Sequence, residues 1–281
     1  INVYLPGYFC GQSLRYLRAL PVNLHFYALN ESLLPNYSEL NKTKNIEEID
    51  IFVHVHYFGK IAGQKKSSDF CNNYDAKLVE DCAHIMGPEL SHKWEGDYLI
   101  FSPHKHFPLP PVALIISRNK CSSMKIHKVD KFPLEWILRQ ALKKVIPYKK
   151  NVRWKRTWTK SEEVIELTRI NSKLEAVASG YLKNYLPSSI TRKNNSIDLI
   201  KLLADISDWS LLQKQSSLNC PYLVGMICSS PEIAERRFSM LNKNTQLVMQ
   251  WPDLPIELRG DKHLLEQCTN WLDRTLFFFT H

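Results

Sequence analysis

The sequence predicts an α/β protein: a large domain on a mostly parallel sheet, then a smaller C-terminal α/β domain. Three observations carry this. Short β-like runs alternate with helical stretches over the first 118 residues, the pattern of strands linked by covering helices. Hydrophobic residues make up 44% and charged residues 23% of the 281, which is globular usage and argues against a disordered chain. From about residue 119 the chain turns basic and Pro-punctuated, and α/β alternation resumes only after residue 160. Three regions follow: a large domain over 1–118 that reads as partial, with its N-terminal part missing, a basic crossing segment over 119–160, and a small C-terminal α/β domain over 161–281.

Each element has a local cause. Residues 2–5 are apolar and stopped by Pro6-Gly7, which predicts a strand; residues 13–20 then read as a helix ended by Pro21. Residues 24–29 and 50–58 are rich in aliphatic and aromatic side chains and read as the next strands. A helix over 68–74 leads to a short buried strand at 77–79, and two more strands follow at Tyr98–Phe101 and 112–117. Ser161-Glu162-Glu163 is a helix-start signal, and Val164, Leu167, Ile170 and Leu174 keep helical spacing behind it. A second amphipathic helix is expected over 197–212. Then come a strand at 221–228, a helix at Pro231–Leu241, a strand at 247–250, a helix at 261–274 and a last strand at Thr275–Phe279.

Composition excludes some classes. The apolar runs at 112–116 and 276–279 fall far short of the roughly 20 residues of a membrane-spanning helix. Seven cysteines are scattered without a CxxC pair, which suits reduced thiols in a cytoplasmic protein. The four Asn-x-Ser/Thr matches, at Asn30, Asn36, Asn41 and Asn194, read as chance occurrences of a short motif. The chain starts at Ile1 and ends just after an apolar run, so it reads as a piece of a longer protein, cut at both ends.

The 37 Lys and Arg outnumber the 28 Asp and Glu. Eight of them (Lys143, Lys144, Lys149, Lys150, Arg153, Lys155, Arg156 and Lys160) crowd one stretch beside Trp154 and Trp158. A solvated linker is the first reading of that stretch. Attraction of a phosphorylated substrate is the second, and nucleic-acid binding ranks last because no recognition motif accompanies the charge.

Ligands of parallel sheets collect beyond the carboxyl ends of strands. Three segments there hold reactive side chains: Val55-His56-Tyr57-Phe58-Gly59, Glu80-Asp81-Cys82-Ala83-His84, and Gly96-Asp97 running through Phe101-Ser102-Pro103-His104-Lys105. A pyridoxal phosphate enzyme needs a lysine for the cofactor aldehyde, a carboxylate for the ring nitrogen, and donors for the phosphate and phenolate. Asp81 just past one strand, with Ser102 and Lys105 past the next, supplies that order. Separately, each has a bland reading: an Asp after a strand is often a helix N-cap, and a lone lysine is often surface.

These segments resemble the DegT/DnrJ/EryC1/StrS group of sugar aminotransferases, a branch of the fold type I pyridoxal phosphate enzymes. The matches are to its VHxxG, EDCAH/Q and GDxxxFS segments, with Leu5-Pro6-Gly7-Tyr8 and Trp251-Pro252-Asp253-Leu254-Pro255 similar in kind. The resemblance implies that Lys105 is the catalytic lysine, bonding covalently to the cofactor and shuttling the proton. It implies Asp81 at the pyridine nitrogen, His84 near the phenolate oxygen and Ser102 on the phosphate. It further implies an amino donor, glutamate in the usual case, a nucleotide-linked keto-sugar as acceptor, and a homodimer, with no nucleic-acid or membrane partner.

Three positions depart from the pattern. The upstream Gly-Thr/Ser phosphate turn is not in this sequence, Cys10 stands where the cofactor-stacking aromatic aligns, and Pro110-Pro111-Val112-Ala113 replaces an acidic-Gly-Gly turn. Rival readings are a catalytically inactive homologue acting as a binding protein and a pyridoxamine phosphate-dependent sugar dehydratase. The dehydratase has a histidine in place of the lysine, a role for which His104 and His106 are neighbours. A metal hydrolase is the third rival, using His54, His56, Asp81, His84, His104 and His106.

Overall fold

The computed structural model describes residues 1–41, 48–86, 93–119, 133–145, 169–213, 221–243 and 247–280. Six strands form the first sheet: β1 (Asn2–Pro6), β2 (Asn23–Tyr27), β3 (Ile51–Val55), β4 (Lys77–Asp81), β5 (Tyr98–Phe101) and β6 (Leu114–Ser117). Their order is β2-β1-β3-β4-β5-β6. All neighbours are parallel except β5 and β6, which pair antiparallel. Helices α1 (Arg15–Arg18), α2 (Tyr37–Leu40) and α3 (Gln64–Asn73) occupy the connections. The fold class is the expected mixed α/β architecture. Chain order reverses at β1, which has β2 on one side and β3 on the other, so the crevice at the strand ends opens near that reversal.

Beyond β6 lie α4 (Leu134–Val145), α5 (Ser172–Lys183) and α6 (Leu186–Ala204). A second sheet then combines β7 (Trp209–Leu211), β8 (Leu223–Cys228), β9 (Val248–Met249) and β10 (Thr275–Phe279) in the order β7-β8-β10-β9, wholly antiparallel. Helices α7 (Pro231–Leu241) and α8 (Lys262–Arg274) pack on it. Both start on side-chain caps: the Ser230 hydroxyl accepts from the Ile233 amide, and the Asp261 carboxylate from the Leu264 amide.

The two sheets share one core. Tyr8, Phe52 and Tyr57 from the first unit are buried in the same cluster as Leu264, Trp271 and Phe277 from the second. Tyr8 stacks on Trp251 at 4.8 Å between centroids, and Phe58 meets Phe277 at 4.7 Å. Two glycines permit the approach. A Cβ on Gly7 would lie 2.9 Å from both the Cys268 sulfur and a Leu264 methyl, and one on Gly11 would lie 2.7 Å from the Leu254 carbonyl oxygen.

Three expected elements differ. The helix expected from Ser161 falls mostly outside the described residues; 169–171 are not helical, and α5 begins only at Ser172. The Asn171 side chain accepts from the Leu174 amide at 3.0 Å, so the polar residue inside the apolar period ends the extended chain as a cap. The helix expected over 197–212 is instead α6, which starts at Leu186 with Pro187 in its first turn and stops at Ala204. Trp209, Ser210 and Leu211 alternate and pair with β8, so tertiary pairing overrides the helical period there. Strand β3 ends at Val55, not at 58, because Phe58 adopts the left-handed conformation (φ 57°). Most of the basic crossing segment, including Trp154 and Trp158, lies outside the described residues; α4 is its described helix.

Candidate active site

Four loops at the carboxyl ends of parallel strands converge. Cys10 follows β1, His56–Phe58 follow β3, Asp81–His84 close β4, and Ser102–Lys105 follow β5. Asp81 pairs in register with Ile100 on the adjacent strand, so the acid and the Ser102–Lys105 turn are set side by side by sheet geometry. That turn is a single 3₁₀ turn over Pro103–Lys105, closed by the Lys105 amide donating to the Ser102 carbonyl at 3.0 Å.

Asp81 is half-buried. One carboxylate oxygen accepts from the Ala83 amide at 2.9 Å, and the other makes no hydrogen bond among the described residues yet is not sealed from solvent. Burial pushes its pKa up, opposed by the Lys105 charge, the Ala83 amide and the His56 charge. Lys105 is also half-buried; burial pushes its pKa down, opposed by Asp81 and Cys10. The two groups feel each other's charge without forming an ion pair, and the Lys105 Nζ makes no hydrogen bond among the described residues. An amine held in this way gives up its proton more readily than an ordinary lysine.

His84 completes the cluster. The Phe58 amide donates to its Nδ1 at 3.2 Å, so Nδ1 is unprotonated and the proton sits on Nε2. The left-handed Phe58 is what turns that amide toward the ring. His84 stacks against Phe58 (5.4 Å, 14°) and Tyr222 (5.1 Å, 22°), which fixes its plane. Its pKa lies well below the usual value, by burial first and then by the charges of Lys105 and His106. His84 is therefore a neutral donor whose Nε2 has no partner among the described residues. Ser102 heads the turn with its hydroxyl equally unused.

Sequence reasoning missed Tyr222 and marked Cys10 only as a departure from the family pattern. Tyr222, at the entry of β8, lies under the lysine, with Nζ 6.0 Å from its ring centroid, and also stacks on His84. Its only sequence signal is an aromatic after Pro221, which is weak. Cys10 lies close enough for its thiol to influence Lys105, and its sulfur donates to Asp253 at 3.4 Å. Tyr8, close to Cys10 in sequence, does not face the crevice: its ring is fully buried against Trp251 and Trp271.

The histidines in and just after β3 have other work. His54 contacts Ser67 through Nδ1 and the Ala62 carbonyl through Nε2, and His56 contacts Glu80 through Nε2 at 2.6 Å. Among the described residues no three His, Cys, Asp or Glu side chains are grouped to hold a metal ion. His104 faces the Val112 carbonyl at 3.0 Å, and the His106 ring packs edge-on against Tyr222 while its carbonyl accepts from Arg192. Beside this loop a cavity of about 800 Å³ is lined in part by His106, Phe107, Tyr181, Thr191, Arg192 and Asn195.

No family model matches the sequence, and no curated protein matches it. Solved structures do match in fold. GDP-4-keto-6-deoxymannose-3-dehydratase (ColD), in a mutant form with bound GDP-perosamine, aligns with TM-score 0.69 at 12% identity over 99% of this chain and 75% of that one. DesV from S. venezuelae aligns with TM-score 0.68 at 13% identity over 100% and 73%. A DegT DnrJ EryC1 StrS aminotransferase from Brucella abortus aligns with TM-score 0.68 at 11% identity over 100% and 74%. The chain has the fold of these proteins.

Proposed function

We propose that the chain is a pyridoxal phosphate-dependent aminotransferase of the DegT/DnrJ/EryC1/StrS kind, moving an amino group from an amino acid, with glutamate the first candidate, to a nucleotide-linked keto-sugar. The observation that carries this is the set of unspent groups in one crevice: a free carboxylate oxygen on Asp81, the Lys105 amine and the His84 Nε2–H. They fit the cofactor's three demands. Asp81, raised by burial and short of a cationic partner, would hold a protonated ring nitrogen. His84 would donate to the phenolate oxygen from a fixed neutral tautomer, and the Ser102 hydroxyl would take part in phosphate binding. Pyridoxal phosphate, when bound, supplies an electron sink for breaking bonds at the amino-bearing carbon.

The chain's own residues would do the rest. Lys105, with its pKa lowered by burial, is a base able to take a proton from the donor carbon and return it across the cofactor face. Tyr222 would offer its ring face to Nζ, which lies 6.0 Å from the centroid. The cavity beside the His106–Phe107 loop is large enough for the part of the acceptor remote from its carbonyl. A homodimer and a cytoplasmic setting belong to the same reading.

The dehydratase reading is disfavoured because Lys105, and neither His104 nor His106, is the group that couples to Asp81. The test is spectroscopic. The chain reconstituted with pyridoxal phosphate should show a near-visible band that glutamate bleaches and a nucleotide-linked keto-sugar restores. A band that no amino acid changes would sink the transferase reading, and no band at all would leave the binding-protein reading.

A further inference from the structure

We propose that Tyr222 is a positioning residue for Lys105, its ring face seating the amine as an ammonium whenever the amine is not bonded to an aldehyde. The inference rests on the aminotransferase reading only in taking Lys105 as the reacting amine. Nζ lies 6.0 Å from the Tyr222 ring centroid, at the outer reach of a cation–π contact. It makes no hydrogen bond and no ion pair among the described residues, so the ring is the partner they offer it. That ring is fixed in place. The Tyr222 amide donates to the Phe58 carbonyl at 3.2 Å, the same Phe58 whose amide sets the His84 tautomer. On the ring itself His84 stacks at 5.1 Å and His106 meets it edge-on at 5.2 Å. Burial raises the Tyr222 pKa against the pull of the Arg192 charge, so the hydroxyl keeps its proton and the ring stays uncharged near neutral pH.

The charges that face Lys105 say what the ring must do. Asp81 at the end of β4 and Cys10 after β1 favour the ammonium, and burial opposes it. His84 and His106 flank the amine, but burial holds both imidazoles neutral near pH 7, so neither repels it. Arg192 of α6 stands beyond them, against Tyr222 and His106. A half-buried ammonium without a hydrogen-bond acceptor is costly, and a ring face offsets part of that cost. A close ion pair would offset more, but it would also hold the proton on the amine and oppose its use as a nucleophile and base. The ring gives Lys105 a defined seat that it can leave.

Competitive acetylation of the full chain with acetic anhydride across pH, before any cofactor is added, reads the proton loss of Lys105 from the peptide that carries it. Tyr222→Leu removes the ring and should move the midpoint down by about half a pH unit to one unit, because the ammonium loses a stabilising partner. Tyr222→Phe keeps the ring and should leave the midpoint where it is. Phenylalanines with one, two and three ring fluorines in place of Tyr222 keep the shape while draining electron density from the ring face. They should move the midpoint down stepwise from the Tyr222→Phe value, a series that stays readable if the leucine chain does not fold. A wild-type midpoint in folded Tyr222→Leu, a Tyr222→Phe shift as large as that of Tyr222→Leu, or a fluorine series without a trend would overturn the proposal. Because the labelling needs no cofactor, flat midpoints would leave the transferase reading standing, and a missing near-visible band would leave the shifts standing.

Discussion

Lys105 and Asp81 set each other's protonation. Burial drives the amine toward its neutral form and the carboxyl toward its protonated form, and each charge restrains the other's shift. Removing the acid should therefore release the amine further. In Asp81→Asn the pH at which Lys105 reacts with an aldehyde should move down relative to wild type, read from the pH dependence of adduct formation. The same variant should lose transamination by at least about 100-fold, the scale for a lost ionisable group in the reacting centre. His84 makes a subtler contribution: His84→Gln keeps a donor at the ring edge and should retain cofactor binding, whereas His84→Ala should weaken it, measured by equilibrium titration.

Among the elements, β3 and β4 are fastened by a buried pair. His56 meets Glu80 at 2.6 Å with both side chains fully buried, and the Glu95 and Gly96 amides donate to the other carboxylate oxygen. Burial alone would raise the Glu80 pKa, but the His56 hydrogen bond and charge and those two amides hold it below the ordinary value. Glu80→Ala leaves an imidazole and two amides without an acceptor and should cost about 3 kcal/mol or more, read by urea denaturation. This pair also marks the boundary of what the sequence revealed. β1, β5, α7 and β10 were legible because their apolar patterns are strong, with Pro6-Gly7 closing β1, Ser102 following β5 and Ser230-Pro231 opening α7. The Asp81 and Ser102–Lys105 segments, singled out for their order at strand ends, do lie side by side in the structure. What periodicity could not separate was an Asn inside an apolar run acting as a cap, or a Trp-Ser-Leu alternation claimed by β8. Nor could it show Tyr222 in the crevice, since that contact spans the gap between the two sheets and depends on how they dock. The VHVH histidines looked like ligands because i and i+2 share a strand face. They do share it, with rings 4.8 Å apart, but each contacts protein groups.

For the molecule as a whole, the shared core means that the two sheets should unfold together. Phe277 is fully buried at their junction, and Phe277→Ala should cost about 3–5 kcal/mol while keeping a single transition by both far- and near-ultraviolet circular dichroism. Acid should act globally too. Burial lowers His54 and His106 from 6.5 to about 3. Between those values the unfolded chain binds protons that the folded chain refuses, so stability is full above pH 6.5 and falls steadily toward pH 3. The urea midpoint should rise from pH 4 to pH 7; a flat profile would mean the two imidazoles are not sealed. The most direct measurement of the central claim is borohydride reduction of the chain with pyridoxal phosphate, followed by peptide mapping. The account predicts one pyridoxyl-modified peptide carrying the label on Lys105, lost in Lys105→Ala. Label spread over other lysines, or unchanged in that variant, would contradict it.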